Sequence, residues 1–321
     1  MKRVTLADIA KKCGVSVNTV SHALNDKPDI SENTKELIKN TAKKMGYIGN
    51  ASASFLRSGL SKTIAVIVGD ISNPHFSILI KEIEVAAREK GYTVFVLNTD
   101  ENETLEYQAI VAAINKNVDG IILCPVQSST ANVEFLIKSG IPFTLMGRRF
   151  NSIKTNYVVL DDKNSGYIAA EYIINSGMKK TAVINANPSI SSAEERMKGV
   201  LEYYKKYANG AVFDTFVIED LEGEHAVVMK KIAAGGYDSA ICFNDVLALE
   251  LLSYLETDVK IVSFDNIRSR FKMPYNFASV TSSKTKMSHK ALTILLNAIS
   301  GEAELVEAVL PTRIADDVIL R

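Results

Sequence analysis

Tryptophan is absent from the 321 residues, and only three cysteines and four histidines are present. Cys13, Cys124 and Cys242 lie far apart, with no CxxC pair and no even framework, so buried free thiols in a reducing cytosol are expected. His22, His75, His225 and His289 show no metal-ligand spacing such as HExxH. No GxSxG, Walker loop or strand-following GxGxxG occurs. Neither a catalytic site, a metal site nor a cofactor is expected. No apolar run approaches the roughly 20 residues that span a bilayer. The opening MKRVTLADIAKKCG has no apolar signal-peptide core, so a soluble, cytoplasmic chain is expected. What is present is globular: hydrophobic residues make up 47% and charged residues 23%, which excludes disorder, collagen and mucin-like stalks. At about 100–200 residues per domain, the length suits two or three domains.

Net charge is also missing, but the zero hides an asymmetry. Residues 1–62 hold eleven Lys/Arg against five Asp/Glu, and the remainder carries the opposite excess. A small basic head on a larger acidic body points to a polyanionic partner for the head. In that head, Thr5 stands three residues before Asp8, close to a capping box, and Leu6, Ile9 and Ala10 share one face. Gly14 ends this helix after about two turns. Ser16 caps a second helix from Val17 to Leu24, with Val20 and Leu24 inward. Ser31 caps a third, in which Leu37, Ile38, Ala42 and Met45 recur at helical spacing until Gly46. Helix, tight glycine turn, helix, packing helix is a helix-turn-helix unit.

The outward face of the second helix carries Val17, Asn18 and His22. Valine can touch a thymine methyl, an amide can bond adenine twice, and imidazole can meet guanine acceptors. Thr5, Ser16, Thr19, Ser21, Asn25, Ser31 and Thr34 are short polar groups suited to phosphate oxygens. Any one of them would serve equally as a plain cap or exposed helix residue; their joint spacing favours a DNA-reading face.

The string from Val4 to Asn25, with its GVS..TVS..LN pattern, closely resembles the headpiece of the lactose-repressor (LacI/GalR) family. Ser31-Glu32-Asn33-Thr34 and Met45-Gly46-Tyr47-Ile48-Gly49-Asn50 match that family's third helix and the approach to its hinge. The resemblance makes Val17, Asn18 and His22 the base-reading positions, with His22 where many members have arginine. Residues 50–57 align with the hinge helix and place the family's minor-groove wedge at Leu56. Gly49 stands where proline is common and Ser54 where arginine is common, which implies a looser hinge.

After residue 62, β-rich runs alternate with helical patterns. Residues 63–68, 93–97, 120–124, 142–146, 181–184, 239–243 and 260–264 read as buried parallel strands. Helical patterns occupy 75–90, 103–116, 163–176, 192–207, 245–256 and 284–300. This is a doubly wound α/β arrangement, with ligands expected beyond the carboxyl ends of the strands. The units are too many for one sheet, so two similar subdomains flanking a cleft are expected. The motifs Val68 to Phe76, Val118 to Ile122 and Phe264-Asp265-Asn266 resemble, in order, the periplasmic-binding-protein-like core of the same family. The implied layout is an all-α helix-turn-helix headpiece (1–48), a hinge helix or linker (49–61) and an α/β core of two doubly wound subdomains (62–321). Residues 62–160 and 284–302 would form the first subdomain, 161–283 and 303–321 the second.

The resemblance also supplies effector residues: Phe76, Arg196, Asn244 and Asp265, with Asp70 and Ser72 after the first strand and Arg148 after the fourth. Without tryptophan, stacking falls to Phe or Tyr. Gly147-Arg148-Arg149 stands where many relatives have Asp-Arg and looks closer to the branch sensing maltose-like sugars. Paired arginines would equally suit a phosphorylated ligand. Asp316-Asp317 replace a common arginine-serine pair. The family implies a homodimeric repressor of carbohydrate-utilisation genes on near-palindromic double-stranded operator DNA. Its effector would be a sugar or sugar phosphate, acting as inducer or corepressor. Two other readings stay open: control by a protein corepressor, as in the catabolite-control branch, and a sugar-binding transport protein. The latter would need a secretion signal and no helix-turn-helix. No leucine heptad closes the chain, so no tetramer by that route is expected.

Overall fold

The computed structural model describes residues 4–48, 59–218, 225–267, 277–302 and 304–315. The hinge positions Gly49, Ser54 and Leu56, and Asp316 and Asp317, lie outside the described residues. The chain divides into two compact units, Met1–Ser61 and Lys62–Arg321.

The first unit contains α1 (Leu6–Cys13), α2 (Val17–Leu24) and α3 (Glu32–Met45). Thr5 and Asp8 complete a reciprocal capping box, and Ser16 and Ser31 each accept from the backbone three residues on. Caps of this kind contribute about 1 kcal/mol each, which matters in so small a unit. Gly14 and Gly46 close α1 and α3 in the left-handed conformation. Ile9, Ala10, Val20, Ala23, Ile38 and Ala42 form the core. Leu37, expected inward, is 54% exposed. Ile38, Ala42 and Met45 share one face, and Leu37 lies about 100° away from it.

The second unit is built on two six-stranded sheets. The first contains β1 (Thr63–Val68), β2 (Thr93–Asn98), β3 (Gly120–Leu123), β4 (Phe143–Met146), β5 (Tyr157–Leu160) and β11 (Glu307–Leu310), ordered β11-β5-β4-β3-β1-β2 and parallel throughout. The second contains β6 (Lys180–Ala186), β7 (Val212–Ile218), β8 (Ser239–Cys242), β9 (Lys260–Phe264), β10 (Ala278–Thr281) and β12 (Arg313–Ala315), ordered β12-β10-β9-β8-β6-β7. Helices cover both faces of each, which is why strands such as β1 are buried along almost their whole length. Helices α4 (Pro74–Glu89) and α11 (Lys284–Ile299) pack on one face of the first sheet, α5 (Glu103–Asn115) and α6 (Ala131–Ser139) on the other. Around the second sheet lie α7 (Asp162–Asn175) with α8 (Ser191–Tyr207), and α9 (His225–Ala234) with α10 (Asp245–Leu252).

The chain passes between the sheets after β5, after β10 and between β11 and β12. The first and third crossings are tied: Asp161 donates its backbone N–H to Leu310 at 2.9 Å, and Ser165 Oγ donates to Thr312 Oγ1 at 3.0 Å. One expectation is corrected here. Residues 303–321 do not all join the second subdomain, because Glu307–Leu310 pair with β5 and cover that strand's open edge. The seven stretches read as parallel strands are parallel, and β12, outside them, runs against β10. Strands β5, β7, β10, β11 and β12 and helices α6 and α9 went unread. β7 is mostly unburied, and β11 and β12 have no fully buried residue, so none of the three shows a continuous buried run.

Candidate functional site

On α2, Val17 is 47% exposed and Asn18 is exposed. His22 is half-buried, its Nδ1 lying 2.6 Å from Asp29 Oδ2. That hydrogen bond holds the Asp29 carboxyl below its ordinary range. An ionised carboxylate only accepts, so Nδ1 carries the hydrogen and Nε2 is the free ring nitrogen. Guanine acceptors can then be met only by a protonated ring; a neutral His22 would accept from an adenine or cytosine amino group. None of the seven phosphate candidates is buried. Ser16 and Thr19 share a hydroxyl contact at 2.9 Å, Ser31 and Thr34 one at 2.8 Å. Each pair keeps one hydroxyl hydrogen to offer a phosphate. Asn25 instead turns its amide onto the Ser21 carbonyl at 2.5 Å.

In the second unit a cavity of about 440 Å³ lies at the carboxyl ends of both sheets. That volume suits a small ligand. Asp70, Ser72, Phe76, Arg148, Arg196, Asn244 and Asp265 all line it. Seven residues chosen from distant stretches thus meet in one cleft.

Arg196 owes its place to two glycines. A Cβ on Gly166 of α7 would lie 1.9 Å from the Arg196 carbonyl oxygen, and one on Gly199 of α8 1.9 Å from that of Lys163. The two helices therefore touch backbone to backbone. Arg196 is 8% exposed; its Nε donates to Asp162 Oδ1 at 2.8 Å and its Nη1 to the Phe243 carbonyl at 2.8 Å. The guanidinium lies 4.3 Å from the Phe264 ring centre and 5.0 Å from that of Phe243. Neither bond engages Nη2. Burial raises the Asp162 carboxyl against the pull of Arg196.

Arg148 behaves differently. Its two terminal nitrogens grip Glu101 at 2.6 and 2.8 Å, and Nη1 also donates to the Pro125 carbonyl at 3.1 Å. Gly69 makes room for this fork, since a Cβ there would meet Glu101 Oε1 at 2.1 Å. Arg149 turns to Glu195 at 2.9 Å and over the Tyr157 ring.

Asp265 has a φ of 92°, a conformation costly for a residue with a side chain and concentrated at functional sites. Its carboxylate lies 3.3 Å from His75 Nδ1. Lys284 Nζ donates to the Asp265 carbonyl and lies 3.2 Å from the same His75 nitrogen. That nitrogen lies between a carboxylate, which only accepts, and an ammonium, which only donates. Burial pushes the His75 pKa down to about 4, which keeps the ring neutral near pH 7. For Asp265 burial works against ionisation, but His75, Arg196 and Lys284 outweigh it and hold the carboxyl below its ordinary range. Asn244 caps α10 by accepting from Leu247 N at 2.8 Å, which leaves its amide hydrogens for a ligand. Asp70 Oδ1 accepts from Ser72 N and Oγ at 2.8 and 2.7 Å, so Ser72 is already committed. Phe76 sits half-buried on the first turn of α4, its ring edge-on to His75.

Residues 5–50 match the lacI family of bacterial regulatory proteins, and residues 64–303 match the periplasmic binding protein domain. The chain belongs to the lacI family. As a member of it, the regulator is a transcriptional regulator with a DNA-binding headpiece on a periplasmic-binding-protein-like core. It is 28% identical over 284 residues to the HTH-type transcriptional regulator GalR of Salmonella typhimurium, covering 84% of this chain and 82% of that one. It is 26% identical over 313 residues to the HTH-type transcriptional repressor PurR of Pasteurella multocida, covering 94% and 93%. Among solved structures, the lac repressor dimer bound to operator and the anti-inducer ONPF matches with a TM-score of 0.84 at 20% identity over 98% of each chain. A CelR–cellobiose complex matches at 0.70 and 22%, again over 98% of each.

Sequence reasoning missed several cleft residues of the regulator, His75, Glu101, Gln127, Asp162, His225 and Glu250, and Lys284, which contacts His75 and Asp265. Asp162 follows β5, and reading that strand would have placed a carboxylate at its carboxyl end. Gln127 bridges the two halves, donating to the Arg149 carbonyl and accepting from Ser191 N, both at 2.8 Å. Cys124 and Cys242 are buried, whereas Cys13 is only half-buried in the headpiece. Among the described residues no helix is long and apolar enough to cross a membrane. Among them, too, no group of three His, Cys, Asp or Glu could hold a metal ion.

Proposed function

We propose that the chain is a homodimeric, cytoplasmic repressor of carbohydrate-utilisation genes, without catalytic activity, whose operator affinity is set by a sugar-like effector in the core cleft. The carrying observation is the convergence of Phe76, Arg196, Asn244 and Asp265 on one cavity of about 440 Å³. An aromatic face, planar polar groups and a buried guanidinium are what a hydroxyl-bearing ring requires. The lac repressor and CelR relatives were solved with operator or sugar ligands, which supports the same partners here. Val17, Asn18 and His22 read the near-palindromic operator in the major groove, and Leu56 acts as the minor-groove wedge. Effector occupancy shifts operator affinity by about 1–3 kcal/mol, roughly 5- to 150-fold.

Fluorescence anisotropy of the full chain on its own upstream DNA, against a random duplex, tests this. Release by a sugar identifies an inducer, and tightening identifies a corepressor. Specific binding that ignores every sugar and sugar phosphate would instead favour a protein corepressor. Leu56→Ala should weaken operator binding more than non-specific binding; equal losses would remove the wedge.

A further inference from the structure

The cleft is rich in acceptors. Its described lining carries five carboxylates, Asp70, Glu101, Asp162, Glu250 and Asp265, against two guanidiniums, Arg148 and Arg196. Both cations are already engaged, Arg148 by a two-pronged grip on Glu101 and Arg196 by Asp162. Asp70, Glu250 and Asp265 remain, and Lys284 offsets one of them from behind. His75, kept neutral near pH 7 by burial, adds no positive charge.

His225 adds a further acceptor. It is 8% exposed and lines the cleft, with Nδ1 2.9 Å from Glu250 Oε2. Its Nε2 is buried and has no hydrogen-bond partner among the described residues. Glu250 as a carboxylate takes the Nδ1 hydrogen, so in the neutral ring Nε2 carries a lone pair with no partner among the described residues. Buried polar atoms in native proteins nearly always have partners, so an orphan on a residue that lines the cavity marks a place for a ligand.

We propose that the cleft selects an uncharged, hydroxyl-rich ligand over its phosphorylated counterpart, with one ligand hydroxyl donating to His225 Nε2. This rests on the effector reading above and narrows its ligand class. Hydroxyls supply donors for Asp265, for His225 and for the Asp70 oxygen that Ser72 does not engage, and they still accept from Arg196 Nη2. A phosphate dianion offers only acceptors, meets three carboxylates and finds no free arginine fork among the described residues.

Calorimetric titration of the full chain with matched pairs tests the inference: glucose and glucose 6-phosphate, galactose and galactose 1-phosphate, fructose and fructose 1-phosphate. Cellobiose, maltose, inorganic phosphate and hypoxanthine complete the panel. The expected result is binding of a neutral sugar, with any phosphorylated partner at least roughly tenfold weaker and inorganic phosphate silent. A sugar phosphate that binds as tightly as its parent, or a preference for hypoxanthine, overturns this inference and leaves a small-molecule effector standing. Silence from the whole panel, with operator binding intact, overturns the effector reading and this inference with it. With the best neutral sugar, His225→Leu should lose about tenfold in affinity, and His225→Gln, which keeps an acceptor, about threefold or less. Equal affinity of wild type and a folded His225→Leu removes His225 from the site. Glu101→Gln frees the Arg148 fork and should raise affinity for the phosphorylated partner; no gain would mean that the pairing of Arg148 does not set the selection.

Discussion

The headpiece and the cleft hold their polar groups in opposite ways. In the headpiece His22 reaches Asp29 seven residues away, and the Lys39–Asp26 bond spans thirteen. In the cleft, Arg196 reaches Asp162 across 34 residues, Arg148 reaches Glu101 across 47, Ser191 reaches Gln127 across 64, and Lys284 reaches His75 across 209. Headpiece groups are placed by caps and a small core, so a substitution there removes roughly its own contact. Cleft groups hold one another. Removing one strands a partner charge in a buried place, and the effects do not add.

The largest effect is expected where backbone meets backbone. Gly199→Ala should cost more than about 3 kcal/mol in urea unfolding, because its new methyl would meet a main-chain carbonyl that cannot move aside. A loss under about 1 kcal/mol would show that α7 and α8 separate cheaply. Next comes the contrast between the arginines. Arg196→Met leaves a buried Asp162 unpaired and should cost about 3–5 kcal/mol together with the ligand response. Arg148→Met strands Glu101, whose side chain is 26% exposed, so its cost should be clearly smaller. Adding Asp162→Asn to Arg196→Met should recover part of the loss; a simply additive double variant would contradict a coupled pair.

A third expectation concerns Glu106, 1% exposed, which accepts from Val126 N at 2.6 Å and Asn132 Nδ2 at 2.9 Å. Burial drives its pKa from 4.5 up to about 7 despite those bonds. The folded protein therefore holds a proton that the unfolded chain has released across that window. Stability should fall as pH rises from 4.5 to about 7, by at most about 3 kcal/mol. Glu106→Gln should flatten this slope in melts taken at several pH values, and an unchanged slope would place the titration elsewhere. The smallest effect belongs to the headpiece: Ser16→Ala should cost about 1 kcal/mol, read by hydrogen exchange in α2, with the core transition unmoved.

The headpiece was readable because its signals are local. Thr5 with Asp8, Ser16 with Thr19 and Ser31 with Thr34 act within one turn, and Gly14 and Gly46 stop helices where they stand. The apolar runs of β1 and β3 were readable too, because burial on both faces leaves no polar positions. Periodicity failed on β7, whose unburied flank breaks the pattern, and on β11, whose sheet is decided by the free edge of β5. In the cleft, position was legible and state was not. The strand-end rule and the family motifs led to Arg148 and Arg196 alike, yet one guanidinium is closed by Glu101 and the other keeps Nη2 open.

By itself, the sequence determined a capped helix-turn-helix unit, an alternating α/β core and the residues that meet at the strand ends. The first two follow from chemistry acting within a turn of helix or a single strand, and the third from the motifs shared with the family. Only the tertiary structure decided which carboxylate neutralises which arginine, that Gly166 and Gly199 bring Arg196 to Asp162, and that His225 lines the cavity with one nitrogen unpaired among the described residues. Those outcomes depend on three crossings between two sheets, and electrostatic pairing across such distances is set by where the folded backbone brings the charges.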